Sequence, residues 1–195
     1  MKTTLPAQRR HILFKWLLLS YCGVISAAIL VHVADIPFAP VFVALSLTVP
    51  PLLLQRGINL FMSPRDVLTG LLVSLCVLVP YTAWMIAGGR HFTVPPALTV
   101  LHQTVIVAFP EEAFFRGFLQ EQTGNTFAGI FVVSALFALA HIPRAALTGD
   151  WPALLSFFPS LVMGGLYWKT GNILPGIVFH VLSNIAHNGF TGQPG

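Results

Sequence analysis

The sequence predicts an all-α integral membrane protein, a polytopic bundle of about seven transmembrane helices (six to eight). Three observations lead there. Of 195 residues, 55% are hydrophobic and only 8% are charged, whereas about a quarter of a soluble domain is charged. The mean hydropathy is strongly positive. The apolar residues also fall in continuous runs rather than in the alternating pattern of a transmembrane β-barrel. The formal net charge of +4 comes from a few bases at the ends of those runs. Nothing resembles a basic stripe interleaved with aromatics, so nucleic acid is not an expected partner; the lipid bilayer is.

Seven apolar segments run roughly 12–34, 38–54, 66–87, 97–120, 126–142, 152–169 and 173–189. The first follows a basic stretch, as a signal peptide does, but its apolar run is longer than a signal h-region and long enough to span a bilayer. It is predicted to be a retained first helix. The connectors "DIP", "QRGINLFMSPRD", "GGRHFTVPP", "EQTGN", "PRAALTGDWP" and "KTGN" are short and made of turn and cap residues. With no long linker and no internal repeat, residues 1–195 are expected to form one transmembrane domain. Lys2, Arg9, Arg10, Lys15, Arg56, Arg65 and Lys169 fall on one side of this arrangement, and Arg90 and Arg144 on the other. The positive-inside rule then puts the N-terminus in the cytoplasm. The compact size and short loops fit a multi-pass protein of a bacterial inner membrane. Cys22 and Cys76 each lie in an apolar run with no metal-ligand spacing, and are expected to be small buried hydrophobes.

The fourth segment contains "FPEEAFFRGFLQEQ", residues 109–122. A charge at that depth costs on the order of a few kcal/mol and tends to face a bundle interior or a wet cavity. Glu112 and Arg116 are four apart and share a helix face, where they can pair. Glu111 is rotated about 100° from Glu112, which predicts a carboxylate without that partner and turned elsewhere. The fifth segment carries "FALAH", with Phe137 and His141 on one face, and the seventh carries "HVLSN", with His180 and Asn184 on one face. Three helices thus each supply a polar face within apolar surroundings, and the motif-bearing core is about 97–189.

"EEAFFR", "FALAH" and "HVLSN" match in order the motifs EExxxR, FxxxH and HxxxN, and the chain resembles the CAAX-protease and bacteriocin-processing family, also called the Abi family. "TGNILPGIVFH" before the last motif adds to the likeness. The resemblance covers about half of the chain. It implies an intramembrane endopeptidase of the type II CAAX prenyl endopeptidase kind, acting on a membrane-anchored protein or peptide substrate. It further implies Glu111 as general base on a bound water, His141 holding and polarising that water, and His180 with Asn184 as the oxyanion site. Glu112, Arg116 and Phe137 are then supporting residues. Peptide hydrolysis does need an activated water and a stabilised oxyanion, and these residue types can supply both.

No cofactor and no metal is expected on this reading. The alternative is a zinc enzyme, with Glu111, His141 and His180 as the three protein ligands that a catalytic zinc needs, although the HExxH helix of the zincins is absent. A non-catalytic bacteriocin-immunity or peptide-binding protein and a small proton-linked transporter are the other readings. A bacterial substrate is expected to be a peptide leader, a signalling protein or a C-terminal sorting helix. Other polar residues have plainer expectations. His102, Gln103 and His32 are placed at the membrane interface, Arg144 and Asp150 in a solvated loop, and His187 near a cavity mouth. Phe114, Phe115 and Phe118 are expected to face lipid or to pack.

Overall fold

The computed structural model describes residues 7–33, 38–54 and 58–192. Lys2 and Arg56, two of the charges that orient the predicted bundle, lie outside the described residues, as does the whole "DIP" connector. Every regular element among the described residues is helical. They are α1 (Ala7–Val33), α2 (Ala39–Leu53), α3 (Pro64–Ala87), α4 (97–120), α5 (Phe127–Leu139), α6 (Ile142–Thr148), α7 (Phe157–Thr170) and α8 (Leu174–Thr191), with a 3₁₀ turn at Trp151–Ser156 before α7. All seven predicted segments are thus helical. The fifth ends as α5, α6 falls almost wholly on the predicted connector "PRAALTGDWP" and puts Arg144 on a helix rather than in a loop, and the sixth begins as the 3₁₀ turn.

The ends follow local chemistry. Ser63 caps α3 by accepting from the Asp66 N–H, with Pro64 behind it at the first turn. Thr126 caps α5 by accepting from the Gly129 N–H at 3.1 Å. Three stretches, Lys15–Val33, Pro64–Ala87 and Phe127–Thr148, have the length and composition to cross a membrane, and Pro40–Leu53 is a shorter apolar helix. Large apolar side chains such as Leu19, Leu53, Trp84, Leu98 and Phe127 are exposed on the outside. An outer surface of that kind is one that lipid covers. The chain is an all-α integral membrane protein.

α4 stands at the centre. It touches α2, α5, α7 and α8, while α3 lies along α8, α5 along α7 and α1 along α2. Every residue of its last portion, Ala113–Gln120, is buried. Phe114, Phe115 and Phe118 therefore pack rather than face lipid, meeting Val133 and Phe137 of α5, Met163 of α7, Phe179 of α8, Val24 of α1 and Leu47 of α2. In a bilayer such contacts gain from close fit rather than from leaving water. Gly70 shows how close: a Cβ there would lie 2.8 Å from the Pro175 carbonyl oxygen.

Cys22 and Cys76 are exposed, not buried as expected. The outward faces of membrane helices are as apolar as the inward ones, so hydrophobic surroundings in the sequence do not separate core from lipid contact. The connectors, by contrast, are tied down by polar clips. Buried Asn172, in the α7–α8 turn, donates to Phe61 O at 2.8 Å and to Asp66 Oδ2 at 2.9 Å, and accepts from the Leu174 N–H at 3.1 Å. This fastens the segment before α3 to the start of α8.

Candidate active site

The site is built around an irregular stretch of α4. Residues Gln103–Ala108 and Ala113–Gln120 are π-helical, and only Phe109–Glu112 between them keeps the α pitch. Pro110 gives a reason for the first widening. It has no N–H to donate, and in a regular helix its ring would crowd the carbonyl one turn back. The turn before it opens, and the Phe109 N–H reaches back five residues to Thr104 O. Widened turns of this kind are frequent at functional sites.

Glu111 and Glu112 follow directly. Glu112 and Arg116 pair as the spacing predicts, with Oε2 and Nε 3.4 Å apart and both side chains fully buried. Arg116 also donates from Nη2 to Ser160 Oγ of α7 at 3.0 Å, and its guanidinium stacks 5.3 Å from the centre of the Phe137 ring. Glu111 turns to a partner other than Arg116. His180 of α8 lies between the two glutamates: Nε2 is 3.6 Å from Glu111 Oε2 and Nδ1 is 3.4 Å from Glu112 Oε1. The imidazole carries its two nitrogens on opposite sides of one ring. Two adjacent side chains that diverge by about 100° can therefore both reach it.

α8 makes room for this with a stripe at four-residue spacing: Gly176, His180, Asn184. A Cβ at Gly176 would run into the Glu112 carboxylate, so the glycine is what lets Glu112 fit beneath the ring. Asn184 continues the stripe, and its Nδ2 donates to Gln103 Oε1 at 2.7 Å. Gln103 is 3% exposed, which corrects the expectation of an interfacial position. Its place at the start of the predicted span suggested a headgroup-level amide, yet it also stands eight residues before Glu111, a little over two turns, on a related face.

His141 reaches the site through a break. α5 ends at Leu139, the His141 N–H bonds Ala138 O at 3.0 Å, and α6 starts at Ile142. His141 Nδ1 lies 2.9 Å from Phe137 O. A carbonyl oxygen only accepts, so Nδ1 carries the proton and Nε2 of the neutral ring is left as an acceptor. Phe137 forms the wall between the parts, with ring centres 4.9 Å from Phe115, 5.1 Å from His141 and 6.0 Å from His180.

Glu111 and His141 line one cavity of about 140 Å³, together with Phe115, Ala140, Arg144 and residues of α1 and α2 that include His32. His180 and Asn184 are not among the residues that line it, and His180 reaches Glu111 from α8. His32 is thus at the cavity and not only at headgroup level, and Arg144 pairs with Asp150 at 2.8 Å. Among the described residues no three His, Cys, Asp or Glu side chains form a group that could hold a metal.

Residues 93–186, a little under half of the chain, match the family model described as Type II CAAX prenyl endopeptidase Rce1-like. They contain every motif residue named above. This part of the chain belongs to the CAAX-protease family. The CAAX-protease domain is that of an intramembrane endopeptidase, a peptide hydrolase. Neither a curated protein nor a solved structure matches the chain.

Proposed function

We propose that the protein hydrolyses a peptide bond near a membrane-embedded or lipid-anchored segment of another protein, with Glu111 as the base and without a metal. The observation that carries this reading is the shared cavity wall: Glu111 and His141 border the same space, and Glu111 has His180 3.6 Å behind it. In this mechanism the Glu111 carboxylate takes a proton from water while the His141 Nε2 lone pair accepts that water's other hydrogen. The water oxygen bonds to the carbonyl carbon, and the carbonyl oxygen becomes an oxyanion. Asn184 Nδ2 retains one N–H beyond the one given to Gln103 and serves the oxyanion, and the His180 Nε2–H joins it by turning from Glu111 as that carboxylate takes the proton. The C–N bond then breaks, and the proton held by Glu111 passes to the leaving amine. The separations of 3.4 and 3.6 Å at His180 are those of groups that tighten when substrate is bound.

The substrate is a membrane protein carrying a leader or a C-terminal sorting helix, in a bacterial inner membrane, and the N-terminus of the protease is cytoplasmic. Reconstitution with candidate substrates tests the mechanism. Glu111→Gln and Glu111→Ala should each lower cleavage by about 10²–10⁴-fold, and stringent chelation should leave the wild type unchanged. Cleavage that persists in both variants would sink the glutamate mechanism, and loss of activity on chelation would restore the zinc reading.

A further inference from the structure

α7 carries none of the motif residues, yet one of its hydroxyls reaches the site. Ser160 is fully buried, and its Oγ accepts from Arg116 Nη2 at 3.0 Å. We infer that Ser160 is a positioning residue for the proposed hydrolysis: it fixes the Arg116 guanidinium and, through Glu112, the His180 ring that meets Glu111. The inference rests on Glu111 as the base and adds α7 to the helices that build the site.

Most hydroxyls in these helices serve their own backbone. Ser46, Thr48, Ser74 and Thr104 each donate to a carbonyl three or four residues back, the local bond such side chains commonly make. Ser160 instead serves a cation on another helix. A guanidinium is a rigid planar fork. The Phe137 ring lies under it at 5.3 Å, and Glu112 Oε2 stands 3.4 Å from Nε. Those two contacts set the plane and one edge, and still let the fork turn within its plane. The bond from Nη2 to Ser160 is the second fixed point that stops the turn. Among the described residues, Nε and Nη1 have no hydrogen-bond partner, so this bond is the directional one.

The orientation is passed on through Glu112. Its carboxylate divides its oxygens, with Oε2 toward Arg116 and Oε1 3.4 Å from His180 Nδ1. A carboxylate is rigid, so a turn of the guanidinium moves both oxygens. Gly176 stands close enough that a Cβ there would collide with this carboxylate, which leaves it little slack. The His180 ring carries the displacement to Nε2, 3.6 Å from Glu111 Oε2. α7 itself is held in register: Gly164 O accepts from Gln120 Nε2 at 2.9 Å. Gly164 follows Ser160 by four residues and Gln120 follows Arg116 by four, so two polar clips, one after the other, pin α7 to α4.

The test uses the full chain in vesicles and one fluorogenic peptide, chosen from the sequences cut in a randomised library of membrane-anchored peptides. Rates are divided by the amount of folded protein, so a loss of stability alone does not register. Ser160→Ala should lower kcat roughly tenfold or more, as a small misplacement near the chemistry does, with KM little changed. Ser160→Thr keeps the hydroxyl and should recover most of the rate. Ser74→Ala removes a hydroxyl of similar burial from α3 and should leave kcat as it was. Arg116→Lys keeps a charge beside Glu112 but not the fork, and Ser160→Ala added to it should cost nothing further. An unchanged kcat in Ser160→Ala, a change confined to KM, or an equal loss with Arg116 and with Lys at that position overturns the positioning role and leaves Glu111 catalysis standing. A folded Ser160→Thr as slow as Ser160→Ala, or an equal loss in Ser74→Ala, overturns it too. Cleavage by Glu111→Gln at the wild-type rate overturns the glutamate reading and this role with it, and a library that the wild type leaves uncut overturns the protease reading as well.

Discussion

Glu112 is fully buried, and among the described residues its ion-pair partners are Arg116 and the His180 ring. Removing one partner of a buried pair leaves an uncompensated charge and costs about 3–5 kcal/mol. Arg116→Met should therefore lower the melting temperature sharply in a detergent thermal-shift assay. Arg116→Met combined with Glu112→Gln should recover most of that loss, since neither charge is then stranded. Gln103 gives a finer test. Its only role in view is to hold the Asn184 amide, so Gln103→Leu should lower kcat by roughly tenfold or more with little change in KM, as expected when an oxyanion donor is misdirected. An unchanged kcat would show that Asn184 orients without it. The sequence made Glu111, Glu112, Arg116, His141, His180 and Asn184 readable because ionisable and amide groups in an apolar run are costly enough to need a reason. Gln103 escaped because a polar residue near the end of a span has a cheap alternative in the headgroup layer.

Among the elements, α8 is the one whose composition is most tightly dictated by its neighbours. Ala is normally favoured over Gly inside a helix by about 1 kcal/mol, so helix propensity alone predicts that Gly176→Ala stabilises the protein. The collision with Glu112 predicts the reverse: a lower melting temperature and weaker cleavage. The sign of the change in melting temperature decides between them. Asn172 governs the start of the same helix. Asn172→Ala removes four side-chain hydrogen bonds and leaves the Leu174 N–H without its cap. A cost of about 2–4 kcal/mol is expected, together with earlier proteolytic cutting in the segment 58–63. Helix positions were legible from apolar run length, since lipid forces the backbone to satisfy itself locally. The break before His141 and the π-helical turns were not. Hydropathy reports that a segment is buried in oil and carries no signal for its pitch.

At the scale of the whole molecule, a bundle this apolar inverts the usual meaning of exposure. Cys22 and Cys76 lie on outward faces of α1 and α3, where lipid rather than water is the neighbour. In sealed vesicles neither should react with a charged, membrane-impermeant maleimide, and both should react once the protein is unfolded in SDS. Rapid labelling of Cys76 before unfolding would put α3 beside water and require a different packing of the bundle. The all-α membrane class followed from composition, because a fold of this size has too little interior to hide so much apolar surface. Which helix occupies the centre did not follow. α4 differs from α1 and α3 in having partners on all sides, and partners are a property of the assembled bundle.

The two π-helical stretches of α4 carry a further consequence for anyone who would copy this site. The letters EExxxR describe spacing along the chain, but here that spacing is wound on a helix whose pitch changes just before Glu111 and again just after Glu112. Deleting one residue between Gln103 and Ala108 would let the helix relax toward the α pitch and swing Gln103 by about 100° relative to Glu111, with every side chain still present. Transplanting the same residues onto a straight helix would fail in the same way. The motif is therefore transferable only together with its irregular backbone, and a catalogue of matching letters on a regular scaffold counts sequences that lack the site.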